Sequence, residues 1–272
     1  MQCELPGGAW IDGQVARDAR LRPLTGWVEH DLAGQFGRTG SWPQFVSAAL
    51  SAAVARIGDW DCSPELVEAL SVADRQYLLL CLSRVLHGDE FWVSARCGGC
   101  GGWFDLGLKR SQLPIKGAGA GYPFAEADCA GHRLRLRVPI GADQHRLVGL
   151  PETAATRALV QACLIAVDGE APSSDFAARL GDTDLHNIES AIDAVAADIG
   201  THIQTDCPEC AAEQVVEVDP YVAEHWNAGA LYRDVHAIAG RYHWSEADIF
   251  TLPRSRRHLY LGLIEQERGF YH

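Results

Sequence analysis

Cys97-Gly98-Gly99-Cys100 and Cys207-Pro208-Glu209-Cys210 are two CxxC knuckles set far apart in a chain of 272. Short alternating stretches flank both, residues 91–96 and 103–108 around the first and 202–206 and 214–218 around the second, so each knuckle is expected at the tip of a β-hairpin. A CxxC turn presents two thiolates from one tight backbone bend, and two such turns supply the four sulfurs of a closed structural zinc site. Gly98, Gly99, Gly101 and Gly102 give the first bend the freedom to aim N–H groups at sulfur. Three alternatives stay open. A redox pair would sit at a helix N-terminus, where a thiolate is stabilised, but strands flank these pairs. An iron–sulfur cluster also takes four cysteines, and an unmetallated set of thiols is the third alternative. The reading adopted is one structural zinc ion held by Cys97, Cys100, Cys207 and Cys210, with Arg96 the nearest cation to offset the thiolates.

The register that lays Cys207 over Cys97 extends beyond the knuckles. Residues 47–108 lie under 157–218 without a gap, matching Ala48 with Ala158, Ala52 with Ala162, Leu70 with Leu180, Asp74 with Asp184 and Val85 with Val195. Upstream, a slip of five in the intervening loop matches Leu21-Arg22 with Leu136-Arg137 and Gly26, His30 and Leu32 with Gly141, His145 and Leu147. An internal duplication is the reading. It gives an α+β body of two helix-plus-hairpin repeats with one zinc-ribbon-like site, followed by a C-terminal helical segment. Residues 1–115 are repeat 1, 116–131 a Gly-rich linker, 132–219 repeat 2 and 220–272 the terminal segment. Within each repeat an Ala-rich helix face (Val46, Leu50, Val54, Ile57; Leu159, Cys163, Ala166, Val167) precedes an Asp-capped helix (74–86; 184–197) that stops at Gly88 or Gly200.

Composition narrows the function classes. Hydrophobic residues make up 47% and charged residues 22%, ordinary values for a globular chain with a large core. A net charge of −13 argues against nucleic-acid binding, which needs a basic surface. No apolar run approaches the ~20 residues of a membrane helix, and Met1 to Gly7 carries no signal-peptide pattern. Nine cysteines are too few for a disulfide scaffold and suit a reducing compartment. Outside the four ligands, Cys81 and Cys163 fall in apolar helical runs and read as core. His30 and His145 read as structural, Asp74-Arg75 as cap and surface charge, and Arg133, Arg135 and Arg137 as the solvated face of a strand. No catalytic signature is present, so the chain reads as a non-enzyme.

Residues 220–272 hold six Arg against six Asp or Glu, so the negative charge belongs to the body. Leu231, Val235, Ile238 and Ala239 have helical spacing, Ser245 with Asp248 resembles a capping box, and a last helix runs over 254–266 with Leu259, Leu263 and Ile264 on one face. Arg254, Arg256 and Arg257 open that helix, where the macrodipole disfavours cations. Together with Trp244 they read as partner-binding residues. Deleting 231–272 is expected to leave a folded, metal-bound body that no longer binds partners.

The segments Arg22-Pro23-Leu24-Thr25-Gly26-Trp27-Val28-Glu29, Asp74-Arg75-Gln76-Tyr77-Leu78-Leu79-Leu80 and Cys97-Gly98-Gly99-Cys100 resemble the baseplate hub and hub-assembly family of contractile-tailed phages and of phage-derived contractile injection systems. Residues 235–245 and 252–257 are similar to a C-terminal segment of tail and baseplate assembly proteins. The resemblance spans about residues 20–108 and 231–265. It implies a non-enzymatic tail component or assembly factor, made in the bacterial cytoplasm, whose partners are other baseplate, hub or tail proteins. The alternative is a zinc-stabilised interaction or regulatory module unrelated to tails.

Overall fold

The computed structural model describes residues 1–36, 40–219 and 228–269. The chain runs through β1 (Gln2–Ile11), β2 (Gln14–Leu21), α1 (Gly26–Phe36), α2 (Trp42–Ala53), β3 (Val54–Ile57), β4 (Trp60–Asp61), α3 (Pro64–Ala69) and α4 (Val72–His87). The first knuckle's hairpin follows, β5 (Glu90–Arg96) and β6 (Trp103–Lys109), then β7 (Ile115–Lys116), β8 (Phe124–Cys129) and β9 (His132–Arg137). Next come α5 (Gly141–Leu147), α6 (Glu152–Cys163), β10 (Leu164–Val167), α7 (Asp182–Val195) and β11 (Asp198–Ile199). The second hairpin is β12 (His202–Asp206) and β13 (Glu213–Glu217), and the chain closes with α8 (Gly229–Tyr242), α9 (Glu246–Thr251) and α10 (Arg254–Gly269). The fold is thus mixed α+β, as expected. Among the described residues no helix is long and apolar enough to cross a membrane.

Two compact units form from these elements, one of residues 1–2, 19–64 and 222–272, the other of 3–18 and 65–221. The terminal helices are therefore part of the first unit and not a separable appendage. Leu231, Val235 and Ile238 of α8 pack with Ile249 and Phe250 of α9 and Ile264 of α10 in one cluster. Trp27 of α1 lies against Phe250, with ring centroids 4.7 Å apart. Deleting 231–272 would strip this core, so the expectation of an intact truncated body is withdrawn. The start of the proposed segment, residues 220–227, lies outside the described residues.

Ser245 caps α9 as expected, its Oγ accepting the Asp248 N–H at 3.2 Å. The face of α10 differs from expectation. Ile264 is buried, but Leu259 is 70% and Leu263 49% exposed. The inward position one turn before Tyr260 and Leu261 belongs to Arg257, which is fully buried. Its guanidinium donates to Glu29 Oε1 at 2.5 Å and to the Leu252 carbonyl at 2.8 Å. Arg254 donates to the other Glu29 oxygen at 2.7 Å. Two of the three arginines assigned to a partner thus bind a carboxylate of α1 inside the unit. Arg256 is exposed, and Trp244 is 36% exposed, stacked on Tyr242.

Helix α2 stops at Ala53, and Val54 to Ile57 form a strand instead of extending the helix face. The branched side chains at 54 and 57 suit a pleated, half-buried surface, and Ile57 pairs with Ala19 and Val54 with Leu21 of β2. The same happens after α6, where Ala166 and Val167 enter β10 and pair with Arg135 and Leu134 of β9. Each ladder carries a bulge, which leaves out Ala55 in one and Ile165 in the other, equivalent positions in the register of the knuckles. Asp168-Gly169, both with positive φ, form a tight two-residue turn of the kind hairpins favour. Asp12-Gly13 do the same between β1 and β2.

In the second unit the core gathers Leu134, Leu136, Cys163, Leu180 and Ile188. The stretch 116–131 is no bare linker, because it contains part of β7 and all of β8. Helix α7 ends at Val195, five residues before Gly200, since Asp198–Ile199 pair with β7. Ser71, not Asp74, caps α4, with its Oγ accepting the Asp74 N–H at 3.1 Å. Asp74 itself is fully buried. Its carboxylate accepts from the Gly7 and Gly8 N–H groups, the Ser71 hydroxyl and the Tyr122 hydroxyl at 2.6–3.1 Å. Arg75 is buried too and donates to the Val67 carbonyl. Neither is surface charge.

Candidate metal centre

The β5–β6 and β12–β13 ladders are both antiparallel and bring a knuckle to one end of each hairpin. In the first knuckle the Cys97 N–H donates to the Gly102 carbonyl and the Gly101 N–H to the Cys97 carbonyl, at 2.9 and 3.0 Å. In the second, Cys207 N–H donates to Ala212 O and Ala211 N–H to Cys207 O, at 3.0 and 2.8 Å. The residue after the second cysteine is left-handed in both, Gly101 with φ +74° and Ala211 with φ +57°. Two knuckles of the same build therefore face each other.

The four expected ligands meet. Among the described residues, the Sγ atoms of Cys97, Cys100, Cys207 and Cys210 all lie within 4.8 Å of one another. The Cys97–Cys210 and Cys100–Cys207 distances are 3.7 and 3.9 Å. Disulfide sulfurs lie ~2.05 Å apart, so these are separate thiols. A tetrahedron with ~2.3 Å metal–sulfur arms has edges of ~3.8 Å, which matches both distances. The set can therefore hold one metal ion. A multi-iron cluster would hold its four sulfurs around a wider core, so the geometry favours a mononuclear site.

Electrostatics prepare the sulfurs for a cation. The Cys100 and Gly99 N–H groups point at Cys97 Sγ from 3.4 and 3.3 Å. Donation by Cys100, then by Gly99, brings the Cys97 thiol down to about 6 in spite of burial. At Cys210 the Ala212 N–H pulls the other way, but the neighbouring thiols of Cys97, Cys100 and Cys207 and burial push it up to about 11. Four sulfurs this close cannot all ionise without a cation among them. Arg96 lies over the first knuckle, its Nε donating to the Gly101 carbonyl at 3.2 Å. Metal binding needs deprotonated ligands. Release is therefore expected as pH falls and protons compete with the metal for the four sulfurs. A chromogenic chelator followed through an acid titration measures it. A metal signal unchanged down to pH 4 would contradict four-thiolate ligation.

Sequence reading missed two features of this region. Gln214 clamps the knuckles together, its Oε1 accepting the Gly98 N–H at 2.9 Å and its amide donating to the Glu213 carbonyl at 2.8 Å. Trp92 and Trp103 stand on the outer face of the first hairpin, 74% and 70% exposed, with Trp92 lying across Gly107. The signal for them was present, because Phe91 and Phe104 are buried and side chains alternate along a strand.

His30 Nδ1 lies 3.2 Å from the Tyr232 hydroxyl, and His145 Nε2 3.5 Å from Glu68. On β9, Arg133 pairs with Glu126, Arg135 covers Phe124 and Arg137 forks onto Asp143. Cys163 is buried, which pushes its thiol up to about 12, an inert core residue. Comparison with family models, with curated proteins and with solved structures finds no match to this chain.

Proposed function

We propose that this chain is a non-enzymatic component or assembly factor of a contractile-tail or injection-system baseplate, stapled by one structural zinc ion. Cys97, Cys100, Cys207 and Cys210 hold the metal, and four thiolates leave it no open position for substrate or water. The observation that carries a binding role is the outward Trp92–Trp103 face. Two tryptophans so widely exposed on one small hairpin are unusual for a free surface and typical of interface anchors. The exposed Leu259 and Leu263 on α10 add a second apolar contact beside Arg256. The tail assignment itself rests on the motif resemblance.

We further propose that the two halves arose by duplication. Equal offsets of the bulges, of the left-handed knuckle positions and of the ligands support it, as does an order of strand, two helices, strand, helix and hairpin contained in both halves, to which the first half adds β4 and α3 and the second β11. Zinc is favoured over iron because a closed, redox-silent tetrahedral site suits a staple.

The test is capture of the full chain from producing cells. Baseplate, hub or tail proteins are expected to co-purify, and the Trp92→Ser/Trp103→Ser double variant is expected to lose most of them at unchanged metal content. Capture of other proteins alone would move the assignment to a zinc-stabilised interaction module. Unchanged capture by the double variant would remove the hairpin face from the proposal.

A further inference from the structure

Helices α6 and α7 leave a groove of about 530 Å³ between them in the second unit. Its floor is apolar, made by Leu159, Val160, Leu185, Ile188 and Ile192, and its rim is acidic, with Glu152, Asp182, Glu189 and Asp193. All four carboxylates are on exposed residues. His186 stands beside Glu189 at 3.8 Å, and Lys116 donates to the backbone carbonyl of Asp193, not to its carboxylate.

The corresponding residues of the first half, in the register that lays Cys207 over Cys97, are buried. Ala49, Leu50, Leu78 and Leu82 match Leu159, Val160, Ile188 and Ile192, and none is measurably exposed. The rim has changed character. Glu189 and Asp193 stand where the first half has Leu79 and Ser83, both buried. Val160 and Ile188 of the floor belong to the core of this unit, while Leu159, Leu185 and Ile192 pack against that core and stay partly exposed between the carboxylates of the rim. A second copy of the chain is a poor occupant, since self-pairing would place these carboxylates against one another in a chain of charge −13.

We infer that the α6–α7 groove docks a basic amphipathic helix of a partner protein. Its apolar stripe would lie on Leu159, Leu185 and Ile192, and its Lys or Arg residues would face Glu152, Asp182, Glu189 and Asp193. Helices of 12 and 14 residues are ~18 and ~21 Å long at 1.5 Å per residue, room for about three to four turns of partner helix. This is helix-in-groove recognition, in which the stripe gives affinity and the charges give specificity and a fast encounter. The inference does not depend on the tail assignment.

The test uses the full chain with three 16-residue peptides: a Leu/Lys peptide with helical apolar spacing, a scramble of it, and a Leu/Glu version. Fluorescence anisotropy is expected to give micromolar binding for the first, about tenfold or more weaker binding for the scramble and none for the Leu/Glu peptide. Glu189→Lys/Asp193→Lys is expected to weaken the Leu/Lys peptide at least tenfold. Both sites are exposed, and unchanged metal content and circular dichroism report that the variant is folded. Equal binding of the scramble would mean charge attraction alone and overturn the inference. So would failure of the Leu/Lys peptide to bind at millimolar concentration, or its unchanged binding to the double variant. Sedimentation showing a dimer that the double variant dissolves would put a second copy in the groove, and would also overturn it.

Discussion

Cys207→Ser is expected to abolish stoichiometric metal binding and to unfold both hairpins. The β5–β6 and β12–β13 ladders are each two-stranded sheets, and an isolated hairpin is marginal at best in water. Their ends are held where four sulfurs converge within 4.8 Å. Losing one thiolate opens the tetrahedron and leaves the other three crowded without their cation. Structural zinc sites contribute ~10–16 kcal/mol of apparent binding free energy at neutral pH in small domains, as much as or more than the ~5–15 kcal/mol net stability of a typical domain. The core around Leu134, Cys163 and Ile188 is expected to persist, so the loss should concentrate in the hairpins. Elemental analysis should read one metal per chain before substitution and much less after it. Hydrogen exchange should show residues 90–109 and 202–217 exchanging fast. Retention of one metal per chain and slow hairpin exchange would refute the staple.

Glu29→Ala is the second large effect, expected to cost about 3–5 kcal/mol. Glu29 is buried, and its carboxylate faces the fully buried Arg257 guanidinium as well as Arg254. Removing it leaves a desolvated cation with the Leu252 carbonyl as its acceptor. The cost is a broken pair's penalty, not the net worth of the pair, because an apolar replacement of both partners is often neutral. Glu29→Met/Arg257→Met is therefore expected to recover most of the loss. Chemical denaturation of the three proteins measures it. A Glu29→Ala variant within about 1 kcal/mol of the parent would show that the buried pair does not hold α10 to α1.

What was legible in the sequence follows from where each signal resides. Ligand identity lies in two tetrapeptides and their spacing, and α4, α7, α8 and the strands around the knuckles have strong local periodicity. Those were placed closely, apart from their caps. Val54 to Ile57 were not, because a four-residue apolar run after a helix has no period of its own, and only its partner on β2 makes it a strand. Leu259, Leu263 and Ile264 share one face by their spacing, yet of the three only Ile264 is buried, and the inward seat a turn earlier went to Arg257. That choice depends on Glu29, 228 residues away, and nothing local announces it. Asp74 is similar. The donors to its carboxylate come from Gly7, Gly8 and Tyr122, so its burial is a property of tertiary contact.

The separation of the two knuckles also matters to the growing chain. Cys97 and Cys100 emerge from the ribosome with two ligands, and their complement waits for Cys207 and Cys210. At ~5–20 residues per second, the half-built site stands for roughly 5 to 20 s as an open pair of thiols. During that interval it can be capped by a small thiol or oxidised within its own turn. Output of correctly metallated protein should then depend on the redox state of the cell during synthesis.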